Sequence, residues 1–259
     1  MTKGIRQTLC PVTGLREAAE SIYVLTFESA EIAASVRPGQ FLNIRVADGT
    51  DPLLRRPFSV YRVDGNSVEI LFNVIGRGTA AIRKKRAGDL LDVLGPLGKP
   101  FTVDSPDYAT AVLVGGGLGV APLPLTTRAL RAAGKSIVTL IGSRTSRGVV
   151  SAHLENVNIA TDDGSMGFHG TVVDLARSML RPNPYPAPKI FGCGPTPMLR
   201  ALAEFALSTG IPCEVSLEGP MACGIGICQG CPVELKDGEK KYALMCTDGP
   251  TFDVRKVKL

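Results

Sequence analysis

The chain of 259 residues contains no tryptophan, and aromatic residues make up only 5% of it. Proteins that grip single-stranded nucleic acid rely on such rings for stacking, so that class of function is disfavoured. Only two histidines occur. His153, in a short helical or loop segment, and His169, in a glycine-rich loop, have no catalytic setting and read as ordinary surface or hydrogen-bonded side chains. No run of eighteen apolar residues exists, which excludes a transmembrane helix. The first residues, Met1-Thr-Lys-Gly-Ile-Arg6, lack the apolar centre of a secretory signal, so a cytoplasmic protein is expected. One-sided charge is missing too. The net charge is +5, from 29 basic and 24 acidic residues, and the basic residues are scattered. The run Arg83-Lys84-Lys85-Arg86 reads first as a solvated helix face and second as a patch for an acidic partner.

Seven cysteines are present, and four of them carry the strongest signal. Cys223-Gly-Ile-Gly-Ile-Cys228-Gln-Gly-Cys231 has C-x4-C-x2-C spacing, and Cys246 follows after fourteen residues. This is the plant-type ligand pattern of a [2Fe–2S] cluster. Two bridged irons need four thiolates in a small volume, and Gly224, Gly226 and Gly230 let a loop wrap them closely. Backbone N–H groups of such a loop can then point at the cluster. A structural zinc site would show two separated C-x2-C knuckles instead, and disulfides would suit a small secreted domain. Cysteines held as metal ligands fit a reducing compartment. Cys10 and Cys213 read as small buried hydrophobes.

With 44% hydrophobic and 20% charged residues, the chain can build ordinary cores, and its length suggests about two domains. The expected class is a multidomain α+β protein. Residues 1–103 read as an antiparallel β-barrel. Ser21-Ile-Tyr-Val-Leu-Thr-Phe-Glu28, Gln40-Phe-Leu-Asn-Ile-Arg-Val46, Phe58-Ser-Val-Tyr-Arg-Val63 and Ser67-Val-Glu-Ile-Leu-Phe-Asn-Val74 alternate apolar and polar positions. Turns at Pro38-Gly39, Asp48-Gly49 and Asp64-Gly65-Asn66 divide them. A short helix is expected over 79–85, and Gly95-Pro96-Leu97-Gly98 reads as a tight structural turn. Residues 104–218 alternate apolar strands with helices over 123–133, 172–180 and 197–208, which predicts a parallel sheet of about five strands. Asp162-Asp163-Gly164 reads as a turn ending the third strand. Pro182-Asn-Pro-Tyr-Pro-Ala-Pro188 is too proline-rich for a regular element. Residues 219–259 carry the cysteines and are too short for a large core, so the cluster is expected to serve as that core.

Two further sites carry chemistry. Arg56-Pro57-Phe58-Ser59 opens a barrel strand: an arginine can clamp a diphosphate, an aromatic can lie on a planar ring, and a hydroxyl can bond a ring nitrogen. Alone it could equally be a strand with a surface arginine. Gly76-Arg77-Gly78-Thr79 adds a glycine turn entering a helix, whose free N–H groups suit a phosphate. The second site is Gly115, Gly116, Gly117 and Gly119, in Gly115-Gly-Gly-Leu-Gly119 between a strand and a helix, where a dinucleotide backbone can approach. Its companion is Cys193-Gly194-Pro195 at the end of the fourth strand. Cys193 can either face a nicotinamide or fill a core.

Together these segments resemble the ferredoxin–NADP reductase superfamily, a flavin-binding barrel followed by a nicotinamide-binding domain. The order of Arg56-Pro-Phe-Ser59, Gly115-Gly-Gly-Leu-Gly119, Thr161-Asp-Asp-Gly-Ser165, Cys193-Gly-Pro195, the cysteine loop and Cys246-Thr-Asp-Gly-Pro250 narrows the resemblance, over essentially the whole chain, to electron transfer subunits of dihydroorotate dehydrogenase B. That resemblance implies FAD in the barrel, contacted by Arg56, Pro57, Phe58 and Ser59, lined by Leu71, Phe72 and Asn73, and bound at its diphosphate by Gly78 and Thr79. Phe58 stands where the family usually has an aliphatic residue. It implies a cluster on Cys223, Cys228, Cys231 and Cys246, and NAD at the glycine loop and Cys193-Gly194-Pro195. It also implies a partner, an FMN-containing TIM-barrel subunit that oxidises dihydroorotate to orotate in pyrimidine biosynthesis, in a heterotetramer of two subunits of each kind. Electrons would pass from FMN through the cluster to FAD and NAD⁺, with no acid–base catalytic residue assigned here.

Related subunits of NADH-dependent ferredoxin:NADP oxidoreductases and sulfide dehydrogenases share this architecture but often place an aspartate at the first cluster ligand, so Cys223 favours the dihydroorotate assignment. Gly142-Ser143-Arg144 ends the second nucleotide-domain strand without an acidic residue for a ribose hydroxyl, and an arginine there can accommodate a 2′-phosphate, which keeps NADP beside NAD. A stand-alone flavin reductase and a non-catalytic redox sensor are the remaining alternatives.

Overall fold

The computed structural model describes residues 5–47, 49–181, 184–238 and 240–259. Residues 1–4, Asp48 of the Asp48-Gly49 turn, and Pro182 and Asn183 of the proline-rich connector lie outside the described residues.

The first unit is a closed antiparallel barrel built from β1 (Arg6–Ala19), β2 (Ile22–Glu28), β3 (Phe41–Arg45), β4 (Arg56–Asp64), β5 (Ser67–Asn73) and β6 (Leu90–Leu97), in the order β1-β2-β5-β4-β3-β6. Alternation along the strands fills its interior with Leu25, Phe27, Leu42, Ile44, Val60, Ile70 and Val93. Two short helices, α1 (Ala30–Ser35) and α2 (Arg77–Arg83), connect strands. The Gly95-Pro96-Leu97-Gly98 segment corrects the expectation of a tight turn, because residues up to Leu97 continue β6. Leu91, Val93 and Leu97 are buried on alternate positions, and this pattern outweighs the local Gly-Pro signal.

The second unit comprises β7 (Thr110–Gly116), α3 (Leu123–Ala132), β8 (Ser136–Ser143), β9 (Val157–Thr161), β10 (Phe168–His169), α4 (Val172–Leu180), β11 (Pro188–Cys193), α5 (Thr196–Thr209) and β12 (Cys213–Ser216). The C-terminal segment adds a small hairpin, β13 (Pro232–Glu234) and β14 (Tyr242–Leu244), and then β15 (Thr251–Asp253). The large sheet has the order β10-β9-β8-β7-β11-β12-β15. Its five main strands are parallel, as the alternation of strands and helices predicts. Two additions extend them: the two-residue parallel β10, which carries His169, and the antiparallel β15 on β12. Strand order reverses between β7 and β11, which creates a crevice at their carboxyl ends.

The units share cores. Tyr61 and Leu71 of the barrel pack with Phe101, Leu113, Val120, Leu123 and Phe191 in one apolar cluster. The C-terminal segment also departs from expectation. It has an apolar core beyond any cluster, in which Val233, Met245, Phe252 and Val257 pack with Phe41 and Leu97 of the barrel. It is stitched to the interdomain linker by the Thr251 hydroxyl, which donates to the carbonyls of Lys99 and Pro100, each at 3.0 Å.

Candidate functional site

Arg56, Pro57, Phe58, Ser59, Leu71, Phe72, Asn73, Gly78 and Thr79 all line one cavity of about 520 Å³ where the barrel, the nucleotide domain and the C-terminal segment meet. Pairing of β3 with β4 sets the wall: Phe41 lies opposite Ser59, Leu42 opposite Phe58, Asn43 opposite Pro57 and Ile44 opposite Arg56. Phe58 is mostly buried and packs edge-on against Phe72, with centroids 6.1 Å apart, so its ring serves the barrel core as well as the cavity. The Arg56 side chain lies against Gly78, where a Cβ would come within 3.1 Å of its Nε. Arg56 Nη1 donates to the Leu54 carbonyl at 2.6 Å. The Thr79 hydroxyl accepts from the N–H groups of Ile75 at 3.0 Å and Gly76 at 3.3 Å, which fixes the turn into α2. A cavity of this size with a cationic, glycine-flanked end and an apolar body fits a flavin dinucleotide.

The opposite wall was not foreseen. Leu118, Ala121, Ser216, Leu217 and Glu218 come from the nucleotide domain, and Gly219, Met221 and Pro250 from the C-terminal segment. Glu218 lines this recess, and desolvation there raises its carboxyl above the ordinary range.

The second predicted site assembles at the strand-order reversal, where Gly115 of β7 pairs with Cys193 of β11. Most of its glycines answer to the protein's own packing. A Cβ on Gly115 would meet Leu123 at 2.8 Å, one on Gly116 would meet Met198 Sδ at 2.3 Å, and one on Gly119 would lie 2.1 Å from the Cys193 carbonyl oxygen. Gly117 differs: it sits at φ +55° with nothing within 4 Å of a Cβ position, so it is the member of this loop that faces open space. Gly194 has φ +154° and lies against Met198. Of the two options for Cys193, the structure shows burial. The residue is 1% exposed, and burial pushes its thiol far above the ordinary range. Asp162 and Asp163 form the turn after β9, their N–H groups donating to the carbonyls of Ser143 and Arg144.

The third site is the cysteine loop. The Cys223 thiol neighbours Cys228, and the Cys246 thiol feels both Cys231 and Cys223. Among the described residues, no three His, Cys, Asp or Glu side chains converge as on a single metal ion. Four cysteines at C-x4-C-x2-C spacing with a distant fourth suit a two-iron cluster rather than the paired C-x2-C knuckles of a zinc site. Burial alone would raise the Cys223 thiol, but the N–H groups of Cys228 and Ile225, each 3.4 Å from its Sγ, hold it down to about 6. A sulfur poised as thiolate by backbone donors fits a cluster ligand. Burial, and then the neighbouring Cys231, push the Cys246 thiol up. Cys228 is exposed, whereas Cys231 and Cys246 are buried. Cys10 and Cys213 are buried in the barrel and α/β cores, as expected.

A barrel with a dinucleotide-sized cavity, a parallel sheet with a crevice at its switch point and a four-thiolate loop define an electron-transfer oxidoreductase of the ferredoxin-reductase fold. Solved structures agree. The chain superimposes on the NADH-dependent reduced ferredoxin-NADP oxidoreductase with a TM-score of 0.85 and 29% identity, over 97% of this chain and 90% of that one. Phthalate dioxygenase reductase, at 18% identity and a TM-score of 0.64 over 90% of this chain and 88% of that one, shares the fold. Residues 218–258 match the iron-sulfur cluster binding domain of dihydroorotate dehydrogenase B. The dihydroorotate dehydrogenase B (NAD(+)) electron transfer subunit of Geobacillus thermodenitrificans is 39% identical, over 96% of this chain and 97% of the relative. That of Bacillus caldolyticus is 38% identical over the same shares. The chain belongs to the family of dihydroorotate dehydrogenase B electron transfer subunits.

Proposed function

We propose that this chain passes electrons from an FMN-containing, dihydroorotate-oxidising subunit to NAD⁺ in pyrimidine biosynthesis, as the electron-transfer half of a heterotetramer with two subunits of each kind. The single observation that carries this reading is the junction itself: the FAD cavity is walled by the barrel, the nucleotide domain and the cysteine-bearing segment together. FAD, a [2Fe–2S] cluster and NAD are the cofactors, and FAD supplies the exchange between hydride and single electrons when bound. Arg56 neutralises the diphosphate, with Gly78 leaving room for its side chain. Leu71, Phe72 and Asn73 would pack against the ring system, and Ser59 would offer it a hydroxyl for hydrogen bonding. Gly117 gives the nicotinamide dinucleotide its approach at the carboxyl end of β7, beside Gly194 and Pro195. Cys223, Cys228, Cys231 and Cys246 would hold the cluster, and the exposed Cys228 would leave it accessible to a partner. Among the described residues no helix is long and apolar enough to cross a membrane, and the free cysteines suit the cytoplasm.

The test is co-expression with candidate FMN subunits, followed by assay of NAD⁺-dependent orotate formation. The isolated chain should oxidise NADH with a dye acceptor and form no orotate, and the complex should form it. Orotate formation by the isolated chain would overturn this division of labour.

A further inference from the structure

β3 presents two faces. Leu42 and Ile44 point into the barrel core, and Phe41 and Asn43 take the other face by the two-residue repeat. Phe41 packs there with Cys231, Met245 and Cys246. Asn43 is therefore an amide on an otherwise apolar wall beneath the cysteine loop, and it is 0% exposed. Its Nδ2 donates to the Cys223 carbonyl at 3.3 Å, and its Oδ1 has no hydrogen-bond partner. A buried amide oxygen without a partner is unfavourable, and an apolar residue of the same size would avoid that penalty.

What the amide holds is specific. Gly224 sits at φ +76°, and a Cβ there would lie 2.8 Å from Asn43 Nδ2. The peptide after Cys223 thus rests directly on the amide. From that fixed peptide the chain turns so that the Ile225 and Cys228 N–H groups reach Cys223 Sγ. On its other side, Asn43 is the cross-strand partner of Pro57 and lies between the partners of Arg56 and Phe58, all three of which line the FAD cavity. The Asn43 backbone is itself braced, because Arg55 Nη1 donates to its carbonyl at 3.4 Å while Arg55 Nη2 pairs with Asp92 at 2.7 Å. One side-chain hydrogen bond and one rung of the β3–β4 ladder therefore join the first cluster ligand to the flavin strand.

We propose that Asn43 is a positioning residue for electron transfer: by tying the Cys223 peptide to the flavin-binding strand, it sets the cluster's potential and its electronic contact with the flavin. This rests on the reading of Cys223 as a cluster ligand and of the cavity as the FAD site. The test compares the full chain with Asn43→Leu, which removes the donor at similar size, and Asn43→Asp, which removes it at the same shape. Iron and FAD contents, the EPR spectrum of the reduced cluster, its midpoint potential and the stopped-flow rate of cluster reduction by NADH are measured. Both variants should keep FAD, show an altered spectrum and potential, and reduce the cluster about tenfold more slowly, with the potential lower in Asn43→Asp than in Asn43→Leu. Loss of iron with FAD retained supports the same role in stronger form. Unchanged spectrum, potential and rate, or loss of FAD and iron together in both variants, would overturn it. A wild-type chain lacking a [2Fe–2S] spectrum would instead sink the cluster assignment.

Discussion

Arg56 stands on the first rung of β4, its side chain laid over Gly78 and its guanidinium turned to the Leu54 carbonyl. If it clamps the FAD diphosphate, replacing it removes a charge-assisted contact worth roughly 1.5–3 kcal/mol. Arg56→Ala should then weaken FAD about ten- to hundredfold in a fluorescence titration of the apoprotein. Unchanged affinity would make Arg56 an ordinary strand residue. On the barrel side of this cavity, Arg56-Pro-Phe-Ser59 and Gly76-Arg-Gly-Thr79 were legible as contiguous strings, whereas Leu71, Phe72 and Asn73 came only from the family resemblance. The facing wall was not legible. Nothing in Ser216-Leu217-Glu218-Gly219 shows that the C-terminal segment folds back over the barrel, or that Glu218 enters a recess that raises its carboxyl. Asn43 was hidden for a related reason, since a polar residue on an alternating strand reads as solvent-facing until the neighbouring segment covers it.

At the scale of elements, the strands with clean alternation or unbroken apolar runs were legible, and α3 and α4 lie within a residue of expectation. β1 was not seen. Only Cys10 and Val12 of its fourteen residues are buried, Pro11 and Gly14 interrupt it, and its pairing with β2 shifts register twice. The helix expected over 79–85 begins two residues earlier, because the Thr79 hydroxyl secures the turn at Ile75 and Gly76 from within the first turn of α2. The glycine loop after β7 looked like a ligand cradle throughout, yet it divides in two. Gly119→Ala would drive a Cβ into the Cys193 backbone and should destabilise the protein by about 3 kcal/mol or more. Gly117→Ala meets no atom and bears only the left-handed penalty of about 1–2 kcal/mol. Thermal unfolding should rank the two in that order. Gly117→Ala should also raise the KM for NADH with little change in FAD content, and an unchanged KM would remove Gly117 from the nucleotide site.

The whole molecule is organised so that a short segment touches everything. Residues beyond 216 line the barrel cavity, supply the edge strand β15, and share an apolar core with Phe41 and Leu97. Because that core does not consist of the cluster alone, loss of the cluster need not unfold the protein. Cys228→Ser is the substitution best placed to show this, since Cys228 is the exposed member of the proposed ligand set and its removal leaves Cys231 and Cys246 packed as they are. The chain should lose iron and sulfide and keep FAD. If FAD sits in the barrel cavity and NADH at the glycine loop, hydride exchange does not involve the cysteine loop, and reduction of a two-electron dye should retain much of its rate. Coupled NAD⁺ reduction by dihydroorotate, measured with the FMN subunit present, should fall to background, because the proposed relay runs from that subunit through the cluster. Equal loss of both activities would mean that the cluster supports the fold rather than the relay. An undiminished coupled rate would mean that electrons reach the flavin by a route that bypasses the cysteine loop.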